Sequence, residues 1–277
     1  MPRRKARLIA VAASAAVAAS LAVTGGAPPA RAIAGGSNAT PGDAPYQVGI
    51  YALTWTGKVY ACGGFLRDAN TVVTAAHCLD GRGAASLFVL LGGTDRTRLP
   101  REPGVSAVLM YPGYNPETLS GDVGLLKLAT PVMESNGVRF VPLAASDPAP
   151  GTQMTVTGWG RTSSTSTRLP RQLQLLQESA DTTAGCTAEY GGLNLDLGGD
   201  EGGPLNGLTP VLDPASMLCG KPAGPGQGLC RGDAGDPAVV NGAVVGIASW
   251  GATGCGDGTD EVYSSVAHYR TWLSQNI

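Results

Sequence analysis

The 277-residue chain has few charged and few aromatic side chains. Asp, Glu, Lys and Arg together make up only 14% of the residues, and aromatic residues only 5%. This composition argues against a coiled coil, a highly charged tail and a long helical bundle. The 41 glycines and 20 prolines amount to about 22% of the chain, below the roughly 25–30% that is typical of low-complexity disorder. The composition favours a folded, all-β protein of many short strands and turns.

The residues that usually bind zinc are scarce. Only two histidines are present, His77 and His268, and no two cysteines form a Cys-x-x-Cys motif. These absences argue against a zinc site. The Gly-rich segment Tyr190–Pro214 contains four acidic residues, but they lack the ordered spacing of a calcium-binding loop. We therefore expect no metal ion and no other cofactor.

Basic residues are few outside the start of the chain. Five of the 19 lie in the first 32 residues, and the remaining 245 residues carry 14 bases and 21 acids, a net charge of −7. An acidic body without a basic stripe argues against nucleic acid as a partner. No apolar run after residue 32 is long enough to span a membrane. We expect a monomer whose ligands are peptides or proteins, with no membrane partner.

Residues 1–32 have the features of a secretory signal peptide. A basic start precedes the apolar stretch Leu8–Val23, and the segment ends in Ala30-Arg31-Ala32, which predicts cleavage after Ala32. A membrane anchor is the alternative, but this stretch of 16 residues falls short of the roughly 20 that span a bilayer. The pair Arg3-Arg4 leaves a twin-arginine signal open as the export route. The mature protein is expected to be secreted and extracellular.

From Ile33 onwards, short apolar runs alternate with Gly, Pro, Asp and Asn, a pattern that predicts β-strands. The predicted strands are Val48–Tyr51, Tyr60–Leu66, Thr71–Ala76, Leu87–Leu91, Gly124–Leu128, Met154–Thr157 and Ala243–Trp250. Val262–Ile277 predicts an amphipathic C-terminal helix, because apolar residues recur on one helical face. The Pro-containing segment Ala144–Gly151 is the best linker. We predict two β domains, over residues 33–145 and 146–277.

Two residues have the surroundings of a catalytic pair. His77 ends an apolar strand beside a cysteine, and Asp122 directly precedes the apolar run Val123–Leu126. A carboxylate placed there would be desolvated, which is costly unless a group donates a hydrogen bond to it. An imidazole N–H is the natural donor, and such a pair forms two-thirds of a nucleophilic triad. The pattern fits a structural His–Asp hydrogen bond without catalysis equally well.

Eight short motifs follow one another in a fixed order along the chain. They are Ile33-Ala34-Gly35-Gly36, Pro45-Tyr46-Gln47-Val48, Cys62-Gly63-Gly64, Thr74-Ala75-Ala76-His77-Cys78, Asp122 before Leu125-Leu126, Gly158-Trp159-Gly160, Cys230-Arg231-Gly232-Asp233 and Ser249-Trp250-Gly251. With these motifs in this order, Ile33–Ile277 resembles the chymotrypsin/trypsin family of serine proteases. The resemblance implies two six-stranded antiparallel β-barrels, a C-terminal helix and an active site in the cleft between the barrels.

The resemblance also implies the roles of individual residues. His77 would be the general base, Asp122 would orient it, and position 234 would carry the nucleophile. The backbone N–H groups of Gly232 and Ala234 would form the oxyanion hole. The implied substrate-binding residues are Gly228, Leu229, Ser249, Trp250, Gly251 and Glu261.

Two covalent features follow from the same resemblance. The spacing of the six cysteines alone leaves 15 possible pairings. The resemblance implies the disulfides Cys62–Cys78, Cys186–Cys219 and Cys230–Cys255. It also implies that Asp233 takes the charged amino group of Ile33. A cut after Ala32 would expose that group directly, so we predict a mature protein that starts at Ile33 and has no zymogen stage.

The chain departs from the family at the nucleophile. The family pattern is Gly-Asp-Ser-Gly-Gly-Pro, whereas this chain reads Gly232-Asp233-Ala234-Gly235-Asp236-Pro237. A methyl group cannot attack a carbonyl, so no acyl-enzyme can form. Asp236 in place of Gly should put a carboxylate near the anion-binding loop and disfavour the oxyanion. This second departure favours a natural inactive homologue over an engineered knockout. We treat the similar stretch Gly199–Pro204, with Glu in place of the serine, as a decoy.

The pocket departs from trypsin as well. Its floor is Gly228 instead of an acid, and Glu261 stands where the family commonly has Gly. Glu261 could receive a basic side chain, narrow the pocket or be an exposed loop acid.

The sequence leaves three hypotheses of function. They are a secreted homologue without hydrolysis that binds peptides or proteins, an active serine endopeptidase whose sequence is mutated at position 234, and a structural or adhesive β domain.

Overall fold

The computed structural model describes Met1 and residues 33–190, 211–251 and 255–277. The predicted signal peptide, apart from Met1, and the stretch Gly199–Pro204 lie outside the described residues. Within the described ranges, no helix combines the length and the apolar character needed to cross a bilayer.

The described residues form thirteen strands and two α-helices. The strands are β1 (Ser37–Asn38), β2 (Gln47–Thr54), β3 (Gly57–Asp68), β4 (Thr71–Thr74), β5 (Leu87–Leu91), β6 (Val105–Met110), β7 (Gly124–Leu128), β8 (Gln153–Gly158), β9 (Gln174–Asp181), β10 (Met217–Pro222), β11 (Pro237–Val240), β12 (Ala243–Trp250) and β13 (Glu261–Ser265). The helices are α1 (Thr183–Tyr190) and α2 (Val266–Asn276). Two short 3₁₀ turns cover Ala76–Cys78 and Ala84–Ser86.

The strands divide into two antiparallel sheets. The first has the order β5-β2-β3-β4-β7-β6 and curls into a half-closed barrel. The second has the order β1-β9-β10-β13-β12-β11-β8, and pairing of β8 with β9 closes six of its strands into a barrel. The predicted all-β, chymotrypsin-like architecture is therefore confirmed. In the first sheet, an isolated bridge between Leu91 and Arg101 links the end of β5 to the segment that leads to β6.

Both ends of the chain reach across to the other half of the molecule. β1 lies near the N-terminus, yet it pairs with β9 in the second sheet. Helix α2 follows the second sheet, yet the rings of Tyr269 and Trp272 pack edge-on against Tyr111 of the first half, with centroids 4.9 and 5.6 Å away. Each half therefore holds the terminal segment of the other.

The C-terminal helix begins later than the sequence pattern predicts. Residues 262–265 belong to β13, which lies between β10 and β12. The hydroxyl of Ser265 accepts a hydrogen bond of 3.1 Å from the backbone N–H of His268. This N-cap sets the start of the helix at Val266, because it satisfies a donor that the first turn leaves unpaired.

The three disulfides are the pairs that the resemblance implies: Cys62–Cys78, Cys186–Cys219 and Cys230–Cys255. The first ties β3 to the turn that carries His77. The third anchors the loop that contains Gly232 and Ala234. No described cysteine is free.

Candidate active site

The histidine and the aspartate singled out in the sequence lie side by side. His77 sits in the 3₁₀ turn after β4, whose residues Val72 and Val73 are fully buried and hold the turn in place. Its Nδ1 lies 2.7 Å from Oδ2 of Asp122, and its backbone N–H donates to Oδ1 at 2.8 Å. Asp122 thus contacts both the ring and the main chain of His77, and these two contacts fix the orientation of the imidazole.

Asp122 is fully buried just before β7. The hydroxyl of Ser249 donates to its Oδ2 at 2.5 Å. Burial by itself would raise the pKa of Asp122, but His77 and the hydrogen bonds from His77 and Ser249 outweigh it and hold the pKa below its ordinary value. The carboxylate therefore stays ionised next to the imidazole. Ser249, predicted to bind substrate, uses its side chain to support Asp122.

The loop that would hold an oxyanion is tied down from several sides. Gly232 has a φ of 99°, and a Cβ there would lie 3.1 Å from the Cα of Gly160, so only glycine suits the position. The carbonyl of Ala234 accepts from the N–H of Gly63 at 2.9 Å. Neither Gly232 nor Ala234 uses its own N–H in a hydrogen bond with another described residue. Two backbone donors are therefore available at the place where the family stabilises an oxyanion.

Asp233 lies beneath this loop. Its buried carboxylate accepts hydrogen bonds from the N–H of Gly160 at 2.7 Å and from that of Cys230 at 2.9 Å. Ile33 is fully buried, and the next residue, Ala34, pairs with Gly228. The backbone of Ile33 has a φ of 45°, a conformation that β-branched residues avoid. The ion pair between Asp233 and Ile33 requires a free amino group at Ile33 and stays a prediction.

Glu261 occupies the predicted specificity pocket. It is buried at the start of β13, which excludes the exposed loop acid considered above. A Cβ added to Gly228 would lie 2.6 Å from its Oε1, and a Cβ on Gly251 would collide with its Oε2. Its Oε1 accepts the N–H of Leu229 at 2.9 Å. Glu261 therefore fills the space between the floor and the wall of the pocket.

The surroundings of Glu261 favour its neutral form. Burial, with a further contribution from Glu178, raises the pKa of Glu261 well above its ordinary value.

Trp250, also predicted to bind substrate, is buried and packs edge-on against Tyr190 at 5.1 Å between ring centroids. Trp250 thus forms part of the core behind the pocket.

Asp236 lies under the loop that contains Gly232 and Ala234, with its carboxyl group turned into the interior. Its carboxyl group is fully buried, accepts a hydrogen bond from the amide of Gln47, and rests against Gly63 and Gly158. Thr157 donates to the same Gln47 side chain at 2.8 Å. Burial and the nearby Asp233 raise the pKa of Asp236 well above its ordinary value, which favours the uncharged acid. The repulsion predicted for a developing oxyanion is therefore weakened.

One cluster resembles a metal site but lacks free ligands. A nitrogen of His77 and the sulfurs of Cys62 and Cys78 lie within 4.8 Å of one another. The two sulfurs are bonded to each other, and Nδ1 of His77 contacts Asp122. The cluster therefore offers no thiolate to a metal ion.

Comparison with known proteins agrees with this geometry. The sequence profile of the family described as Trypsin matches residues 33–273. The chain belongs to the trypsin family. It is 31% identical over 244 residues to trypsin beta of Drosophila erecta, with 88% of each protein covered. It is 34% identical over 276 residues to trypsin theta of Drosophila melanogaster, with 96% of this chain and 95% of that protein covered.

A solved structure supports the same assignment. Neuropsin, a serine protease expressed in the limbic system of mouse brain, is similar with a TM-score of 0.71 and 27% identity. The likeness covers 87% of this chain and 98% of neuropsin. The protein is thus a trypsin-like serine protease homologue.

The motif search missed side chains that support the site of this trypsin-family protein. The hydroxyl of Tyr60 donates to the carbonyl of Gly232 at 3.1 Å, and that of Ser264 donates to the carbonyl of Asp122 at 2.9 Å. Tyr60 lies in β3, two residues before the motif Cys62-Gly63-Gly64, and Ser264 lies in β13, outside the motifs. Their types and spacing carry no signal, because only the folded sheets bring them to the cleft.

Proposed function

We propose that the protein is a secreted, non-hydrolytic member of the trypsin family that binds peptide segments in its active-site cleft. The observation that carries this proposal is alanine at the serine position of the family motif, in a chain whose His77 Nδ1 lies 2.7 Å from the carboxylate of Asp122. The histidine has the orientation of a general base, but there is no hydroxyl at position 234 from which to take a proton. The chain therefore has the scaffold of the triad without its reacting atom.

The missing hydroxyl is enough to remove efficient turnover. Removing the nucleophile from a serine protease costs about 10⁶-fold in turnover, roughly 8 kcal/mol of activation free energy. The oxyanion donors and substrate binding alone would leave an acceleration of about 10³- to 10⁴-fold over water. No group described near Ala234 offers an oxygen with an adjacent base in its place.

Features of the cleft that bind a peptide do not depend on the serine. The N–H groups of Gly232 and Ala234 are available to a carbonyl oxygen. Ile247 is the last residue of β12 that pairs with β11, and its partner there is Pro237. Strand β12 continues beyond it, while β13 borders it on the other side as far as Trp250. An extended peptide can therefore add alongside Ser249–Gly251 by β-augmentation. The pocket beyond is narrowed by Glu261, which makes these backbone contacts the main source of affinity.

Secretion is supported by two features. The sequence of residues 1–32 has the pattern of a cleaved signal peptide. All six cysteines are in disulfides, which persist in oxidising compartments.

A direct experiment separates this proposal from catalysis. The secreted protein is incubated with casein and with a fluorophosphonate probe, and Ala234→Ser serves as the positive control. We expect neither hydrolysis nor covalent labelling of the native chain, and labelling of the control. Labelling of the native chain, or steady hydrolysis, overturns the proposal.

Titration with a protein inhibitor of serine proteases tests whether the cleft binds a ligand. We expect saturable binding, and a flat titration would mean that the cleft is vestigial.

A further inference from the structure

A second cleft, of about 490 Å³, adjoins the oxyanion loop at Arg231 and Gly232. It lies between the β2–β3 hairpin and the loop that contains residues 161–169. It shares none of the residues that enclose Glu261, so it is separate from the specificity pocket. Six basic residues line it: Lys58, Arg82, Arg96, Arg161, Arg168 and Arg231.

The concentration of positive charge here contrasts with the rest of the molecule. After residue 32 the chain carries a net charge of −7 and only 14 basic residues, so six of them meet in this one cleft. None of the described lining residues is acidic. Grouping like charges disfavours the compact state, whereas a cleft lined by one sign of charge attracts a ligand of the opposite sign.

Two of the arginines are held in place by backbone carbonyls. Arg96 donates to the carbonyls of Pro170 and Leu169 at 2.7 and 3.2 Å, and Arg82 donates to that of Cys78 at 2.8 Å. Backbone carbonyls orient a guanidinium group without cancelling its charge. These side chains are therefore pre-positioned for an anion rather than spread in solvent, which lowers the entropy lost on binding.

Two further cations have no counter-charge among the described residues. Arg168 is exposed and forms no ion pair with a described residue. Arg231 also forms none, and its buried Nε makes no hydrogen bond. Lys58 differs, because it pairs with Glu102 at 2.5 Å. The cleft thus presents positive charge that the described residues only partly neutralise.

The mixed lining of the cleft favours a peptide over a long polyanion. Aromatic and apolar side chains, among them Tyr51, Tyr60 and Leu169, lie between the basic groups. Gly232 belongs both to this cleft and to the loop where the proposed peptide ligand would be bound. A polypeptide that passes Ala234 therefore enters the basic cleft without leaving the surface.

We propose that the basic cleft binds acidic side chains of a peptide ligand. These side chains belong to the part of the ligand that lies on the opposite side of Ala234 from the Glu261 pocket. This inference rests on the proposed function, since the same ligand occupies both parts of the site. The ligand class is an extended polypeptide with two or more Asp or Glu residues in succession. Guanidinium groups recognise such carboxylates through paired hydrogen bonds.

Fluorescence anisotropy with two labelled peptides tests the proposal. One peptide carries four consecutive Glu residues, and the other carries Gln at the same four positions. With the mature protein at low salt, we expect the Glu peptide to bind about 10- to 100-fold more tightly than the Gln peptide. Salt should reduce this preference, because it screens exposed charges.

Matched variants locate the effect. R168E/R231E should weaken binding of the Glu peptide by at least about tenfold while leaving the Gln peptide unchanged. R270E changes an exposed arginine on α2, outside the cleft, and should leave both affinities unchanged. Equal loss in R270E, or no loss in R168E/R231E, overturns the assignment to this cleft.

The two peptides also distinguish this inference from the proposed function. Equal affinity for both would overturn the acidic preference and leave peptide binding intact. No saturable binding of either would overturn both proposals. Tight binding of a sulfated glycan without binding of the Glu peptide would make the cleft a polyanion site and overturn the peptide class.

Discussion

The carboxyl group of Asp236 rests directly against the Cα of Gly63, and no Cβ can be added at position 63 without overlapping it. The family glycine at position 236 would leave this space open. The larger side chain is accommodated because Gly63 and Gly158 have no side chains and Gln47 supplies a hydrogen bond. The side chain of Asp236 is thus part of the packing between the two halves of the molecule.

This packing predicts a reciprocal dependence between positions 63 and 236. Gly63→Ala should destabilise the protein by about 1–3 kcal/mol, because the new methyl group forces the buried carboxyl group aside. In an Asp236→Gly background most of that loss should disappear. Urea denaturation of the two single variants and the double variant measures the coupling. Gly42→Ala is the control, since a Cβ there meets nothing within 4 Å; equal effects at positions 42 and 63 would contradict the prediction.

Restoring the nucleophile should restore chemistry. In Ala234→Ser, the oriented imidazole of His77 has a hydroxyl proton to remove, and the two loop N–H groups can stabilise the oxyanion that then forms. We therefore expect fluorophosphonate labelling and measurable hydrolysis of a peptide ester. Adding Asp122→Asn should lower the rate by about 10⁴-fold, because the carboxylate that orients His77 is lost. Active-site titration followed by steady-state kinetics provides the measurement. A folded Ala234→Ser protein that stays inert would show that the cleft has decayed beyond position 234.

Buried acids should make the protein less stable as the pH rises. Burial raises the pKa of Glu178 from 4.5 to about 7, although the hydroxyl of Tyr263 donates to it at 2.7 Å. Between these values the unfolded chain has released the proton and the folded chain still holds it. The free energy of unfolding should therefore fall by up to about 3 kcal/mol from pH 4.5 to 7 through this group.

Denaturation in urea across this pH range gives the slope. Glu178→Gln should flatten the curve and leave the part that comes from Asp236 and Glu261, whose pKa values are raised in the same direction. Glu117→Gln, at an exposed position, is the matched control and should keep the slope of the parent. An unchanged slope in Glu178→Gln would rule out this origin.

The N-terminus of the mature protein should be Ile33. A cut before Ile33 frees the amino group for Asp233 and removes the φ torsion of 45° altogether. Protein that starts at Ile33 should be about 1–3 kcal/mol more stable than protein that keeps Ala32, because a buried charge gains a charged partner. Mass spectrometry of the secreted chain identifies the start. Thermal denaturation compares the two forms, and in Asp233→Asn the difference should vanish; a persistent difference would refute the ion pair.

Opening the pocket should change what it accepts. Glu261→Gly removes the side chain between Gly228 and Gly251, so a protein inhibitor with Phe at its reactive-site residue should bind about 10- to 100-fold more tightly. Glu261→Gln keeps the volume and the hydrogen bond from Leu229, and should bind like the parent. Isothermal titration calorimetry measures both. A gain of the same size in Glu261→Gln would point to charge rather than volume.

The sequence predicts the elements that have simple patterns. Leu87–Leu91, Gly124–Leu128 and Ala243–Trp250 are strands with the predicted bounds, because each is a short apolar run between turn residues. β9 was missed because Gln174 and Glu178 occupy buried positions, which breaks the apolar alternation. β10 was missed because Gly220 and Pro222 lie within it and indicate a turn.

The site divides in the same way. The contact between His77 and Asp122 follows from desolvation of an acid at the start of an apolar strand. The resemblance implies Glu261 at the pocket and Asp236 near the anion-binding loop. The burial of each carboxyl group could not be predicted, because it depends on glycines distant in sequence that leave room for it. A sequence states which side chains are present, but only packing decides where an unusual one fits.

The exchange of terminal segments between the two halves bears on how the chain responds to a protease. β1 is hydrogen-bonded to the far sheet, and α2 packs against Tyr111 on the near one. A single cleavage within residues 144–151 would therefore leave two fragments that stay non-covalently associated, because each carries a terminal segment bound to the other. They should migrate together on a sizing column and separate only in denaturant, and the parent should melt as one cooperative unit.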